Sequence, residues 1–191
     1  MKDKRRLYIA IRKETIKEKY SLSNPYHWMI LICDKNEDEP QVPGIRVNPT
    51  LGNGVHWEYI LDLKKNEPFV ARFMIGKIRY EDVVKRAIEE VQAPADINYT
   101  SQDWIKAVLD NLKNLRGEDT MALPTNTKLD WEHLSAQIHL YLQNKIQTGV
   151  LHMVNVEGKE EYEFWEEHHW PEGKPRLAMN LLEGREIHDG K

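Results

Sequence analysis

The chain has one cysteine in 191 residues, Cys33. No disulfide can close within it, and its stability must come from a packed core and hydrogen bonds. So few thiols suit a reducing compartment, and the cytosol is the expected location. No apolar run approaches the roughly 18 residues that cross a bilayer, and the basic start (Lys2, Lys4, Arg5, Arg6) is not followed by the apolar stretch of a secretory signal. A membrane span is therefore not expected. Gly-rich phosphate loops and the Gly-x-Ser-x-Gly turn are both missing, which argues against nucleotide-dependent chemistry and against an α/β-hydrolase. Positive charge is not in excess either: 31 acidic against 27 basic residues give a net charge of -4. No global field recruits nucleic acid. There is no internal repeat and no heptad pattern, so neither a solenoid nor a coiled-coil assembly is indicated.

What remains is ordinary globular composition, with 40% hydrophobic and 30% charged residues. The length suits one core, expected over residues 1–116, with residues 117–191 supplying a helix and an extension packed on the same domain. β-rich apolar runs at 7–11, 26–33, 44–48, 55–63 and 69–78, separated by Pro, Gly and Asn, predict a meandering antiparallel sheet. The period then lengthens. Val83, Val84, Ala87, Ile88 and Val91 predict a helix stopped by Pro94, and Trp104 to Leu115 a second, closed by Gly117. A third spans 130–146. Residues 117–130 read as a linker and 149–156 as a further strand, while 160–170 shows no period and is assigned no structure. The fold class is α+β, an antiparallel sheet packed against helices.

Two short segments carry the chemistry. Thr100 precedes the second helix with Asp103 three residues on, close to the capping pattern Ser/Thr-x-x-Glu, so Thr100 and Ser101 can be read as cap and first-turn residues and nothing more. The same place suits a nucleophile, because a helix N-terminus presents free N–H groups and partial positive charge that favour a thiolate or oxyanion. His27 lies near the start of an apolar strand, where alternation groups it with Met29, Leu31 and Cys33 against Tyr26, Trp28, Ile30 and Ile32. It can be a structural histidine or a base. Cys33 is not a substitute nucleophile: six strand residues, about 20 Å, separate it from His27.

Arg6-Leu7-Tyr8-Ile9-Ala10, Tyr26-His27-Trp28-Met29-Ile30-Leu31, Gly76-Lys77-Ile78, Ser101-Gln102-Asp103-Trp104-Ile105-Lys106-Ala107-Val108-Leu109 and Leu181-Leu182-Glu183-Gly184-Arg185-Glu186 follow one another along the chain. In that order they resemble the landmarks of an uncharacterised, largely fungal family of small proteins. That family is similar to the circularly permuted papain-like group, which includes lecithin-retinol acyltransferase-like enzymes and permuted NlpC-type peptidases. The resemblance implies a permuted papain-like fold, with His27 as general base and Ser101 where relatives carry the nucleophilic cysteine. It further implies Asn48 as the group that orients the imidazole, where relatives often have histidine. An asparagine carbonyl can accept an imidazole N–H and fix its tautomer. Thr100 replaces the asparagine that relatives carry before the nucleophile, and Leu177-Ala178-Met179-Asn180 departs from their more polar run.

The implied activity is acyl transfer or hydrolysis of an amide or ester in a small-molecule, peptide or acyl substrate, without a cofactor. A cysteine thiol, with a pKa near 8.5, ionises beside a histidine, whereas a serine hydroxyl must lose its proton in step with attack, so the replacement predicts weakened activity. The alternative is a degenerate member that binds a small molecule or protein, or performs a biosynthetic step without a covalent intermediate. Two other signals are weaker. Glu166-Glu167-His168-His169, with His152 or His188, invites a metal reading, but adjacent histidines do not converge on one ion and no His-x-x-x-His pair supports it. His133 and His139, six apart, lie on different faces of the third helix. Trp165 and Trp170 either fold back over the sheet or line an apolar pocket.

Overall fold

The computed structural model describes residues 5–13, 26–34, 44–50, 54–60, 69–94, 99–115, 122–149, 152–156, 159–163 and 177–187. Five strands come first: β1 (Arg6–Lys13), β2 (Tyr26–Cys33), β3 (Gly44–Thr50), β4 (Gly54–Ile60) and β5 (Phe69–Lys77). Three helices follow, α1 (Glu81–Glu89), α2 (Ser101–Asn114) and α3 (Trp131–Gln147), then β6 (His152–Val156), β7 (Lys159–Glu163), β8 (Leu177–Asn180) and β9 (Arg185–Glu186). The main sheet runs β4-β3-β2-β1-β5-β8-β9, and β6 pairs with β7 in a separate two-stranded sheet.

β1 is central and buried on both faces, which is why residues 7–11 read as an unbroken apolar run rather than an alternating one. Leu7, Ile9 and Ile11 of β1, Trp28, Ile30 and Ile32 of β2, and Ala71, Phe73 and Ile75 of β5 form one face, against which all three helices pack. Tyr8, Ala10, Met29, Leu31, Cys33 and Met74 form the other, joined by Ile187.

The α+β class holds, with two corrections to the expected organisation. The sheet is not wholly antiparallel: β8 lies parallel to β5, Ala71 pairing with Leu177 and Met74 with Asn180. The chain passes through three helices before returning to that edge, and such a crossover permits parallel pairing where a hairpin would not. The expected linker is also partly core, since Ala122, Leu123 and Leu129 are buried with the helix-facing cluster. It carries no period because it is anchored locally, by Arg79 N–H donating to Ala122 O (2.9 Å) and Thr127 N–H to Pro124 O (2.9 Å).

Strand β7 occupies part of the stretch assigned no structure, and β8 is too short to show a period. Pairing with a neighbour, not local pattern, makes each a strand. Gly117, Trp165, Trp170, His188 and residues 166–169 lie outside the described residues.

Candidate functional site

The candidate site lies where two strands part. β2 is paired along its whole length to β1, but its ladder to β3 runs only from Ile30↔Val47 to Cys33↔Gly44. Beyond Val47, β3 stays with β4 through Asn48↔His56 and Pro49↔Val55. Pro49 has no N–H to give, so it suits a stretch where only one edge of the strand is in a ladder. The first half of β2 is thereby left to another partner, and α2 supplies it: Trp28 N–H donates to Ser101 Oγ at 3.0 Å.

Ser101 is held in place by its neighbours. Thr100, the N-cap, keeps an extended backbone (φ -97°, ψ 163°) and forms a complete capping box with Asp103. Asp103 N–H donates to Thr100 Oγ1 (3.2 Å), while the Thr100 N–H (2.8 Å) and hydroxyl (2.6 Å) both donate to Asp103 Oδ2. The helix is then anchored by Trp104, fully buried, whose Nε1–H donates to Val91 O at 3.1 Å. The helix N-terminus favours negative charge on Ser101, but the Asp103 carboxylate in the same first turn opposes it. Its reach is visible at Tyr99, whose hydroxyl is pushed up by burial and then by the Asp103 charge.

The structure brings the backbone beside His27 to Ser101, while Asn48 lies on β3 just past its last pair with β2. His27 directly precedes the peptide that bonds Ser101, and Asn48 directly follows Val47, the last β3 residue paired with β2. The side chains of His27 and Asn48 lie outside the described residues. A strand N–H points along the sheet plane, so Ser101 Oγ meets β2 at its edge rather than over one face.

Cys33 is at the other end of β2 and fully buried. Burial pushes its thiol up to about 12, against the pull of the Arg72 guanidinium. A thiol so shielded is a poor nucleophile.

A second histidine, set aside on sequence grounds, lies close by. The His139 ring packs on the Trp28 indole with centroids 5.7 Å apart, and Trp131 meets the same indole edge-on at 5.7 Å. Spacing alone had compared His139 only with His133; the signal available was its one-face relation to Trp131, eight residues earlier. His133 itself faces elsewhere, with Lys113, Thr127 and Leu129, on an open hollow near the far end of α2. Twelve helical residues separate Lys113 from Ser101, about 18 Å, so that hollow is not part of this site. Among the described residues no group of three or more His, Cys, Asp or Glu side chains is arranged to hold a metal ion, and no helix is long and apolar enough to cross a membrane.

Comparison with curated proteins and with solved structures gives no significant match. A family profile, by contrast, covers residues 4–187, nearly the entire chain, and the protein thus belongs to the family of unknown function DUF6914.

Proposed function

We propose that the protein is a permuted papain-like acyl-transfer or hydrolase scaffold in which Ser101 holds the nucleophile position and His27 the base position. The observation that carries this is the hydrogen bond from Trp28 N–H to Ser101 Oγ, which sets a hydroxyl at a helix N-terminus beside the residue next to His27. In the proposed reaction the His27 imidazole takes the Ser101 proton as Oγ bonds to an amide or ester carbonyl carbon. The imidazolium then gives that proton to the departing amine or alcohol, and water or another acceptor releases the acyl group. Asn48 orients the imidazole. The substrate class is a small acyl, ester or peptide compound, and the setting is the cytosol.

The rate is low on this reading. Ser101 already accepts a strand N–H, and the Asp103 charge disfavours an anion beside it. The same two facts favour a second reading, a non-hydrolytic member that keeps the fold and binds its ligand without a covalent step.

Ser101→Cys separates the two. In the full-length protein the new thiol is expected to react with iodoacetamide well ahead of buried Cys33, with a pH profile that collapses in His27→Ala. Equal labelling with and without His27 would remove the proposed base and leave the binding reading.

A further inference from the structure

Tryptophans in a core are usually anchored through the indole N–H as well as by packing. Trp104 follows the rule through Val91 O. Trp28 does not: its Nε1 is buried and has no hydrogen-bond partner among the described residues. The Trp28 ring is thus held by packing alone, within the buried cluster and against the two rings that touch it, His139 and Trp131. His139 is itself fixed. Its Nδ1 lies 2.7 Å from Ser135 O, and because a carbonyl only accepts, Nδ1 is the donor.

We infer that His139 is a positioning residue for Ser101, acting through Trp28: its ring holds the indole, and the held indole fixes the peptide whose N–H ends on Ser101 Oγ. The role of Ser101 as nucleophile is taken from the reading above, but the clamp is a separate statement about geometry. Unlike the buried tryptophans, His139 is exposed. Its substitution leaves the core filled.

The test uses the full-length chain. In a Ser101→Cys background, His139→Ala is expected to raise the pKa of the introduced thiol and lower its alkylation rate at neutral pH by about three- to tenfold, the effect of loosening one hydrogen bond to a charged acceptor. His139→Phe, which keeps a flat ring against the indole, restores the profile, and His133→Ala leaves it unchanged. With Ser101 in place, hydrogen exchange at the Trp28 amide quickens in His139→Ala and not in His139→Phe. An unchanged thiol profile and unchanged Trp28 exchange in His139→Ala would overturn the inference. So would failure of His139→Phe to restore either readout, since the effect would then belong to the imidazole's titration and not to its ring. Dependence on His27 without dependence on His139 sinks the clamp and keeps the base; the reverse sinks the base and keeps the clamp.

Discussion

Ser101 and Cys33 differ by one atom in chemistry and by everything in surroundings. The hydroxyl stands at a helix start where a strand N–H reaches it; the thiol is sealed in the second face of the sheet. Burial raises the Cys33 pKa from its ordinary 9.0 to about 12. The sign of the linked stability follows from which state holds the proton. Below about pH 9 both folded and unfolded chains keep it, and the stabilisation from the buried thiol is complete. Above that the unfolded chain releases its proton first, so the contribution drains away as pH climbs towards the folded value. The stability advantage of wild type over Cys33→Ala is therefore expected to shrink by about 2 kcal/mol between about pH 8 and about pH 10.5, measured by urea unfolding. A constant advantage across that range would show that the thiol is not sealed in the folded state.

Among the elements, α2 was the most legible. Its cap, its apolar period and its buried Trp104 are local features, and Thr100 with Asp103 forms the box that their spacing announces. The start of α3 was equally readable, since Asp130 Oδ1 accepts from His133 N–H at 2.9 Å. β7 and β8 were not: Lys159–Glu163 carries no period of its own and pairs with β6 just before it, and Leu177–Asn180 becomes a strand through β5, far earlier in the chain. The candidate site divides along the same line. His27 and Ser101 are candidates by residue type and position and Asn48 through the resemblance alone, whereas the departure of β3 from β2 and the packing of the His139 ring on Trp28 are tertiary events.

The cap of α2 also sets the electrostatics of its first turn, which gives a prediction at this scale. In a Ser101→Cys chain, Asp103→Asn keeps an acceptor for the Thr100 N–H but removes the charge. It is expected to lower the pKa of the introduced thiol and raise its alkylation rate at neutral pH about two- to fivefold, while weakening the helix start by about 0.5–1 kcal/mol. Alkylation rates across pH and urea unfolding read the two effects, and an unchanged thiol pKa would mean that the carboxylate is screened from it.

At the scale of the whole molecule, strand and helix portions close on each other at Gly76. A Cβ there would lie 3.2 Å from Leu123 Cδ2 and 3.3 Å from Thr127 Cγ2, so the bare backbone of β5 is what lets residues 122–130 seat against the sheet. Gly76→Val is expected to cost about 1–3 kcal/mol in urea unfolding; a loss below about 0.5 kcal/mol would mean that the segment yields freely. Further along the chain, Lys145 and Glu186 form an ion pair that ties α3 to β9. The parallel pairing of β5 with β8 joins Ala71 to Leu177, more than a hundred residues later. During synthesis the hydrogen-bonding edge of β5 stays open until β8 has been made and has left the ribosome, and an open edge is a template for pairing with the wrong strand. The strand least visible in the sequence is thus the one whose late arrival decides how long the nascent protein remains exposed to misassembly.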